Sequence, residues 1–285
     1  MFDCSELERA SHAAAQAQRF LAALSLSAGA GNIGMNQRLL EQRLHKLTEQ
    51  LVQRIRSRLS AIFSAAMSAS ANADRSVEEA GSTVFPSRAF SHCLRALTAL
   101  SRGEIAEEVV AETVTAPLAK PLLTQGKVDG NGGRGSYLGL QPALESLALQ
   151  VMSALAMPLQ ACEEIYPPVP LISCDSTSSS GKCDNIDNNQ PSQSIPNASV
   201  PIDLIIKGVW IPVTALLKEK FSGMFSVGIA GTLARCYTAV ESFTLLLHKS
   251  DGSADRIDSI RRDFSTHPAI QEFHDQWKLD LYLQV

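Results

Sequence analysis

Apolar residues recur along this chain at alternating intervals of three and four, the spacing that puts them on one face of an α-helix. Leu7, Ala10, Ala14, Ala17, Leu21 and Leu24 form the first such stripe, rich in small residues suited to close helix packing. Ser5 and Glu8 precede it with the spacing of a capping box, in which each side chain satisfies a backbone N–H at the helix start. The run from Ser27 to Asn32 breaks the pattern. Leu40, Leu44, Leu47, Leu51, Ile55, Leu59 and Ile62 then predict a helix from about Met35 to Met67. At 1.5 Å per residue it would be roughly 50 Å long, better suited to a rod than to a ball.

Ser68 to Thr83 is Ser/Ala-rich and reads as a loop. Helical patterning resumes near Pro86, a residue favoured in a first helical turn, and runs through Phe90, Leu94, Leu97 and Leu100. Ser101 and Glu104 predict a second capping box, ahead of Ile105, Val109, Val110 and Val114, with Pro117 and Pro121 ending the helix. Gly126 to Gly135 reads as a glycine-rich turn region, and Leu138 to Gln160 as helix. Pro167, Pro168, Pro170, Pro191, Pro196 and Pro201 punctuate a segment otherwise dominated by Ser, Asn and Asp. Such composition buries too little apolar surface to offset chain ordering, so 164–201 is expected to be a disordered linker or insertion. Helix returns from Ile202 to Phe221 with a kink at Pro212. Ile229, Leu233, Cys236, Val240, Phe243 and Leu247 step regularly by four and three, and a last helix is expected from His267 to Leu283.

The pattern is all-α: an elongated helical bundle or rod, with helical segments 1–163 and 202–285 on either side of the 164–201 linker. Composition agrees, since 45% of the 285 residues are hydrophobic and only 6% aromatic, a balance that favours helices over an aromatic-rich β-sandwich. The formal net charge of −4 argues against a free-standing nucleic-acid binder. Six cysteines with no C-x-x-C pair suit a reducing compartment rather than a disulfide scaffold. The amino-terminal residues lack the basic and apolar regions of a signal peptide. The stretch Ser146–Cys162 is interrupted by Gln150, Pro158 and Gln160, so it is expected to fall short of a membrane span and the chain to be soluble or peripherally bound.

Motifs of known chemistry fail on context. Gly130-Asn-Gly132-Gly-Arg-Gly135 matches the dinucleotide-binding string, but no buried strand precedes it, so it reads as a flexible loop. Ser180-Gly181-Lys182-Cys183 lacks the leading glycine and closing hydroxyl of a phosphate loop. Asp184 to Asn189 fails as a calcium loop at Ile186 and Ile195. Asn197-Ala-Ser199 is a sequon, relevant only in the secretory lumen. None of His12, His45, His92, His248, His267 and His274 makes an i, i+4 pair, and no Glu-x-x-His occurs. Glu104, Glu107, Glu108 and Glu112 read as a solvated helical face. No catalytic, cofactor-binding or metal-binding residues are assigned, and no small-molecule substrate or nucleic acid is expected. The feature of most weight is the basic helix bearing Arg38, Arg43, Lys46, Arg54, Arg56 and Arg58, balanced by Glu41 and Glu49 alone. Such a helix can lie on anionic lipid or dock a partner, though a solvated face beside a packed seam has the same charge pattern.

Three elements in order bear on family. Cys93-Leu-Arg-Ala96, Ala106-Glu107 and Thr113-Val-Thr-Ala-Pro-Leu118 form one. Phe273-His-Asp-Gln276-Trp277-Lys-Leu-Asp-Leu-Tyr282 is another, and Phe63-Ser64-Ala65-Ala66 closes the long helix. Together, over about residues 35 to 285, they resemble subunit 2 of the conserved oligomeric Golgi complex. The resemblance implies a non-catalytic helical-rod subunit of a vesicle-tethering complex, peripheral on the cytosolic face of the Golgi membrane. It would act in retrograde intra-Golgi transport and in maintaining glycosylation enzymes. Its implied partners are the other subunits of that complex and, indirectly, the vesicle fusion machinery. Family members are far longer, so the chain would lack their N-terminal coiled-coil region and C-terminal helices, as a fragment or short form. The alternative from the residues alone is a stand-alone helical adaptor held on membrane by the basic helix; an enzyme with a site between helices is the least supported.

Overall fold

The structure, a computed structural model, describes residues 3–27, 35–73, 85–165, 202–226, 230–249 and 267–277. Every regular element among these residues is helical and none is a strand, so the protein is an all-α bundle. The elements are α1 (Cys4–Ser27), α2 (Met35–Ala73), α3 (Ser87–Ala99), α4 (Glu104–Val110), α5 (Ala116–Leu122), α6 (Gln125–Asp129), α7 (Leu140–Ile165), α8 (Ile211–Lys220), α9 (Ala230–Lys249) and α10 (Pro268–Asp275). The stretch 166–201, which holds most of the expected linker, Ser180–Cys183, the Asp184–Asn189 run and the sequon, lies outside the described residues. So do 74–84, Ile229 and 278–285.

α7 is the hub. Leu140, Leu144, Leu147, Ala148, Val151 and Leu155 are fully buried along it, and it packs against α3, α5 and α9. The facing stripe of α9 (Leu233, Cys236, Val240, Phe243 and Leu247) is buried as its spacing predicts. One apolar core contains residues from Cys4 to Trp277. Leu140–Cys162 is long and apolar enough to cross a membrane by length and composition, contrary to the expectation for this stretch, and 44% of its most apolar window is buried within the bundle.

The first helices depart from the expected stripes. α1 buries Cys4, Leu7, Ser11, Ala14 and Ala15, while Ala10, Ala17 and Leu24 are exposed. Its cap is shifted by two residues: Asp3 precedes the helix and its backbone N–H donates to Glu6 Oε2 at 3.3 Å, while Ser5 Oγ donates to Asp3 Oδ2 at 2.8 Å. α2 buries Thr48, Val52, Ile55, Leu59, Ile62 and Phe63, but Leu40 and Leu47 face solvent. It also runs through Ala73 rather than stopping at Met67, since its Ala-rich end favours helix.

The second predicted capping box does not form. Arg102 N–H donates to Leu97 O at 2.9 Å and Ser101 N–H to Thr98 O at 3.0 Å, closing α3 with a Schellman motif. Ser101 therefore takes φ 54°, a left-handed conformation usually filled by glycine. Gly103, not Ser101, then caps α4.

Pro117 and Pro121 do not end the following helix. A π-helical turn, Ala111–Thr115, joins α4 to α5, with Pro117 in the first turn of α5 and Pro121 inside it. The same device recurs at Ile206–Trp210, where a π turn leads into α8 with Pro212 in its first turn. The two π turns pack together. In a regular helix the Gly208 carbonyl would accept from the N–H four residues on, and that residue is Pro212, which has none. Thr115 Oγ1, buried on the facing turn, donates to Gly208 O at 2.8 Å instead. Gly208 eases this close approach, because a Cβ there would lie 3.0 Å from Val110 Cγ1 and the valine would have to give way.

Aromatic rings lock the C-terminal elements. Trp210 stacks on Phe243 at 5.9 Å between centroids, and Phe273 meets Trp210 edge-on at 5.8 Å. Trp277 packs on Phe225 and Tyr237 at 4.8 and 5.7 Å. Phe273 and Trp277 are fully buried, contributing roughly 2–3 kcal/mol each through apolar burial.

Candidate interaction surfaces and polar clusters

The six basic residues singled out from the sequence do not form one surface. Arg38, Arg43, Lys46 and Arg54 are exposed on α2, whereas Arg56 and Arg58 are half-buried. Arg56 is clamped between two carboxylates of the next helical unit, donating to Glu108 Oε2 at 3.0 Å and Glu112 Oε1 at 2.7 Å. Those bonds, Glu112 foremost, raise its pKa above the ordinary arginine value. Arg58 lies beside Cys4 at the start of α1, and that interaction raises its pKa above the ordinary arginine value. The basic candidates therefore divide: Arg56 and Arg58 tie α2 into the bundle, and the other four remain on the surface.

The acidic face is solvated as expected at Glu104, Glu108 and Glu112, which are exposed, and is corrected at Glu107. Glu107 is buried, its Oε1 accepting from Asp203 N–H at 2.9 Å and from Lys207 Nζ at 3.3 Å. Asp203 in turn caps the π turn that follows, accepting from Ile206 N–H at 2.7 Å. Burial is the main influence on Asp203 and raises its pKa. Each of the four also meets a cation from outside its own helical turn, Glu108 and Glu112 toward Arg56, Glu107 toward Lys207 and Glu104 toward Arg102, a pairing that spacing along one helix does not show.

An open cleft of about 500 Å³ lies between α1 and α3, lined by Ser5, Glu8, Arg9, His12, Gln16 and His92. Glu8, which was expected in the capping box, instead pairs with Nδ1 of His92, with His12 Nε2 4.0 Å from its other oxygen. A carboxylate–imidazole pair can move a proton. Ser5, the hydroxyl in the cleft, donates to Asp3 rather than to either histidine. His12 stands one helical turn beyond Glu8, so that pairing was legible in the sequence; His92, eighty-four positions away, was not. The neighbouring Cys93 is fully buried, and desolvation pushes its thiol up to about 12. Burial does the same to Cys236, also to about 12.

The glycine string is a folded turn built around Asp129. Its carboxylate accepts from Gln125 Nε2 at 2.7 Å and from Gly135 N–H at 2.9 Å, and its carbonyl from Ser136 Oγ. Gly130, Gly133 and Gly135 supply the positive φ angles. Gly139 closes the turn, since a Cβ there would sit 1.8 Å from Lys127 O. α6 rather than a strand precedes the string, so the dinucleotide geometry is not built. Among the described residues no group of three or more His, Cys, Asp or Glu side chains is placed to hold a metal ion.

Several of the residues that carry the sequence resemblance are packing residues, although Ser64, Ala65, Arg95 and Pro117 among them are exposed and 278–282 lie outside the described residues. Cys93, Leu94 and Ala96 are fully buried in α3, Thr113–Leu118 spans the first π turn and the start of α5, and Phe273 and Trp277 fill the aromatic box. Phe63 meets Phe90 edge-on at 5.5 Å.

No family model matches the chain, and no solved structure matches it. Among curated proteins, conserved oligomeric Golgi complex subunit 2 from Homo sapiens is 28% identical to it over 83 residues. That stretch is 29% of this chain and 11% of the human protein, so the chain is similar to a small part of that subunit.

Proposed function

We propose that this chain is a non-catalytic helical subunit of a Golgi vesicle-tethering complex. It acts through protein–protein contacts at the cytosolic face of the Golgi membrane, in retrograde intra-Golgi transport. The observation that carries the reading is the 83-residue similarity to conserved oligomeric Golgi complex subunit 2. Two features support it. Cys93, Leu94, Ala96, Val114, Thr115, Phe273 and Trp277, from the motifs that resemble the family, are core residues, which a shared scaffold would retain. The long α2 also presents apolar and basic side chains at one end that the bundle does not cover.

The test is quantitative affinity purification of the tagged chain from its own cells, with mass spectrometry and imaging against a Golgi marker. Near-stoichiometric recovery of the other tethering subunits, with Golgi co-localisation, is expected. A soluble, expressed chain that recovers none of them would overturn the proposal.

A further inference from the structure

The α1–α2 hairpin has an uncovered end. The two helices run antiparallel, their level fixed by Gln18 Nε2 donating to Thr48 Oγ1 at 3.2 Å. Among the described side chains Ala15 is the last buried one of α1 and Thr48 the first of α2; residues 16–24 and 36–47 contain no buried side chain. The stretch 36–47 alone extends about 18 Å at 1.5 Å per residue. Of the ten large apolar side chains exposed among the described residues, five lie on this end: Phe20 (65%), Leu24 (42%), Leu39 (47%), Leu40 (53%) and Leu47 (56%). A single exposed leucine is ordinary, whereas clustering at one end marks an interaction surface.

Spacing and charge indicate what covers it. Leu40, Leu44, Leu47 and Leu51 step by four, three and four, the seam of a heptad. Leu44 and Leu51 lean onto the core, while Leu40 and Leu47, two helical turns apart on one side, face solvent. A seam this narrow fits the ridge of another helix; a helix lying in a lipid interface needs a broad apolar face. Residues 36–47 carry Arg38, Arg43 and Lys46 against Glu41, with Arg19 on α1 adding to the excess. All four cations are exposed and make no ion pair among the described residues. A positive end on a chain of net charge −4 repels a second copy of itself and attracts a negative partner.

We propose that the free end of the α1–α2 hairpin docks an acidic amphipathic helix of a partner protein. Leu40 and Leu47 pack into its apolar face, and Arg38, Arg43 and Lys46 pair with its carboxylates. The proposal rests on the tethering-subunit reading in one respect, that the partner is another subunit of the assembly.

The test uses the full chain and two fluorescent helical peptides with leucine at heptad positions a and d, one flanked by glutamate and one by lysine. Anisotropy titrations are expected to show salt-sensitive binding of the glutamate peptide alone. Leu40→Asp with Leu47→Asp should weaken it by about tenfold or more, as loss of an apolar anchor does. Arg43→Glu with Lys46→Glu should reverse the preference toward the lysine peptide, and Leu245→Asp, an exposed leucine on α9, should change nothing. Unchanged circular dichroism and urea midpoints would show that the variants remain folded. Equal binding of both peptides, binding of neither, or binding insensitive to these substitutions would overturn the proposal. So would preferential binding to phosphatidylserine vesicles, or a dimer in sedimentation velocity that depends on Leu40 and Leu47. If the tethering subunits co-purify equally with wild type and the Leu40/Leu47 variant, the docking seam fails and the functional reading stands. If the peptides behave as expected but no tethering subunit co-purifies, the reverse holds.

Discussion

The paired π turns make the sharpest claim about what holds this bundle together. Pro212 deprives the buried Gly208 carbonyl of its helical donor, and Thr115 Oγ1 replaces that donor across the interface at 2.8 Å. Thr115→Val keeps the shape of the side chain and removes the hydroxyl. Thr115 is 1% exposed, so water cannot take its place without opening the contact. Leaving a buried carbonyl unsatisfied costs about 1–3 kcal/mol. For a chain of this size each kcal/mol lowers the melting temperature by roughly 2–4 °C. Pro212→Ala restores an N–H four residues after Gly208, so the same threonine substitution should cost less in that background. The expected coupling energy in the double-mutant cycle is about 1 kcal/mol, read from urea midpoints at constant slope. An equal loss with and without Pro212, or no loss in Thr115→Val alone, would refute the account of the two turns as a donor exchange.

Three further outcomes are expected. Ser101→Gly should raise stability by about 0.5 kcal/mol, because relief of the left-handed strain at φ 54° exceeds the added chain entropy of glycine; a shift in urea midpoint at constant slope checks it. Asp129→Ala removes the acceptor for Gln125 and the Gly135 amide, so it should cost about 1–3 kcal/mol and speed hydrogen exchange at Gly135. Burial raises the pKa of Asp203 above that of an unfolded aspartate, so the folded state holds its proton more tightly. Its contribution to stability is therefore lost as pH rises from the unfolded value of about 3.9 through the folded one. Asp203→Asn should flatten the pH dependence over that window, and an unchanged slope in urea titrations would contradict the assignment.

The sequence alone placed most of the helical segments and, in the middle of the bundle, their apolar faces, although Ser68–Ala73 and Gly126–Asp129, read as loop and turn, are helical. The stripes Phe90–Leu94–Leu97, Ile105–Val109–Val114 and Leu233–Cys236–Val240–Phe243–Leu247 are buried as their spacing predicts, because that pattern depends only on neighbours three and four residues away. What those faces meet was not determined there. Leu40 and Leu47 have the same periodicity as Ile55 and Leu59, yet only the latter are covered, since covering requires helices from distant parts of the chain. The tertiary structure likewise decided the charges. Glu8 leaves its expected cap for His92, Glu107 is buried against Asp203 and Lys207, and Arg56 and Arg58 leave the basic surface for Glu108, Glu112 and Cys4. Prolines 117, 121 and 212 read as stops or kinks because each removes a local donor; π turns carry the helix past the first and third, and at the third a threonine ninety-seven positions earlier supplies the bond. Local spacing sets the shape of each helix, but the partner that satisfies an apolar face, a charge or a carbonyl is fixed only when the helices pack.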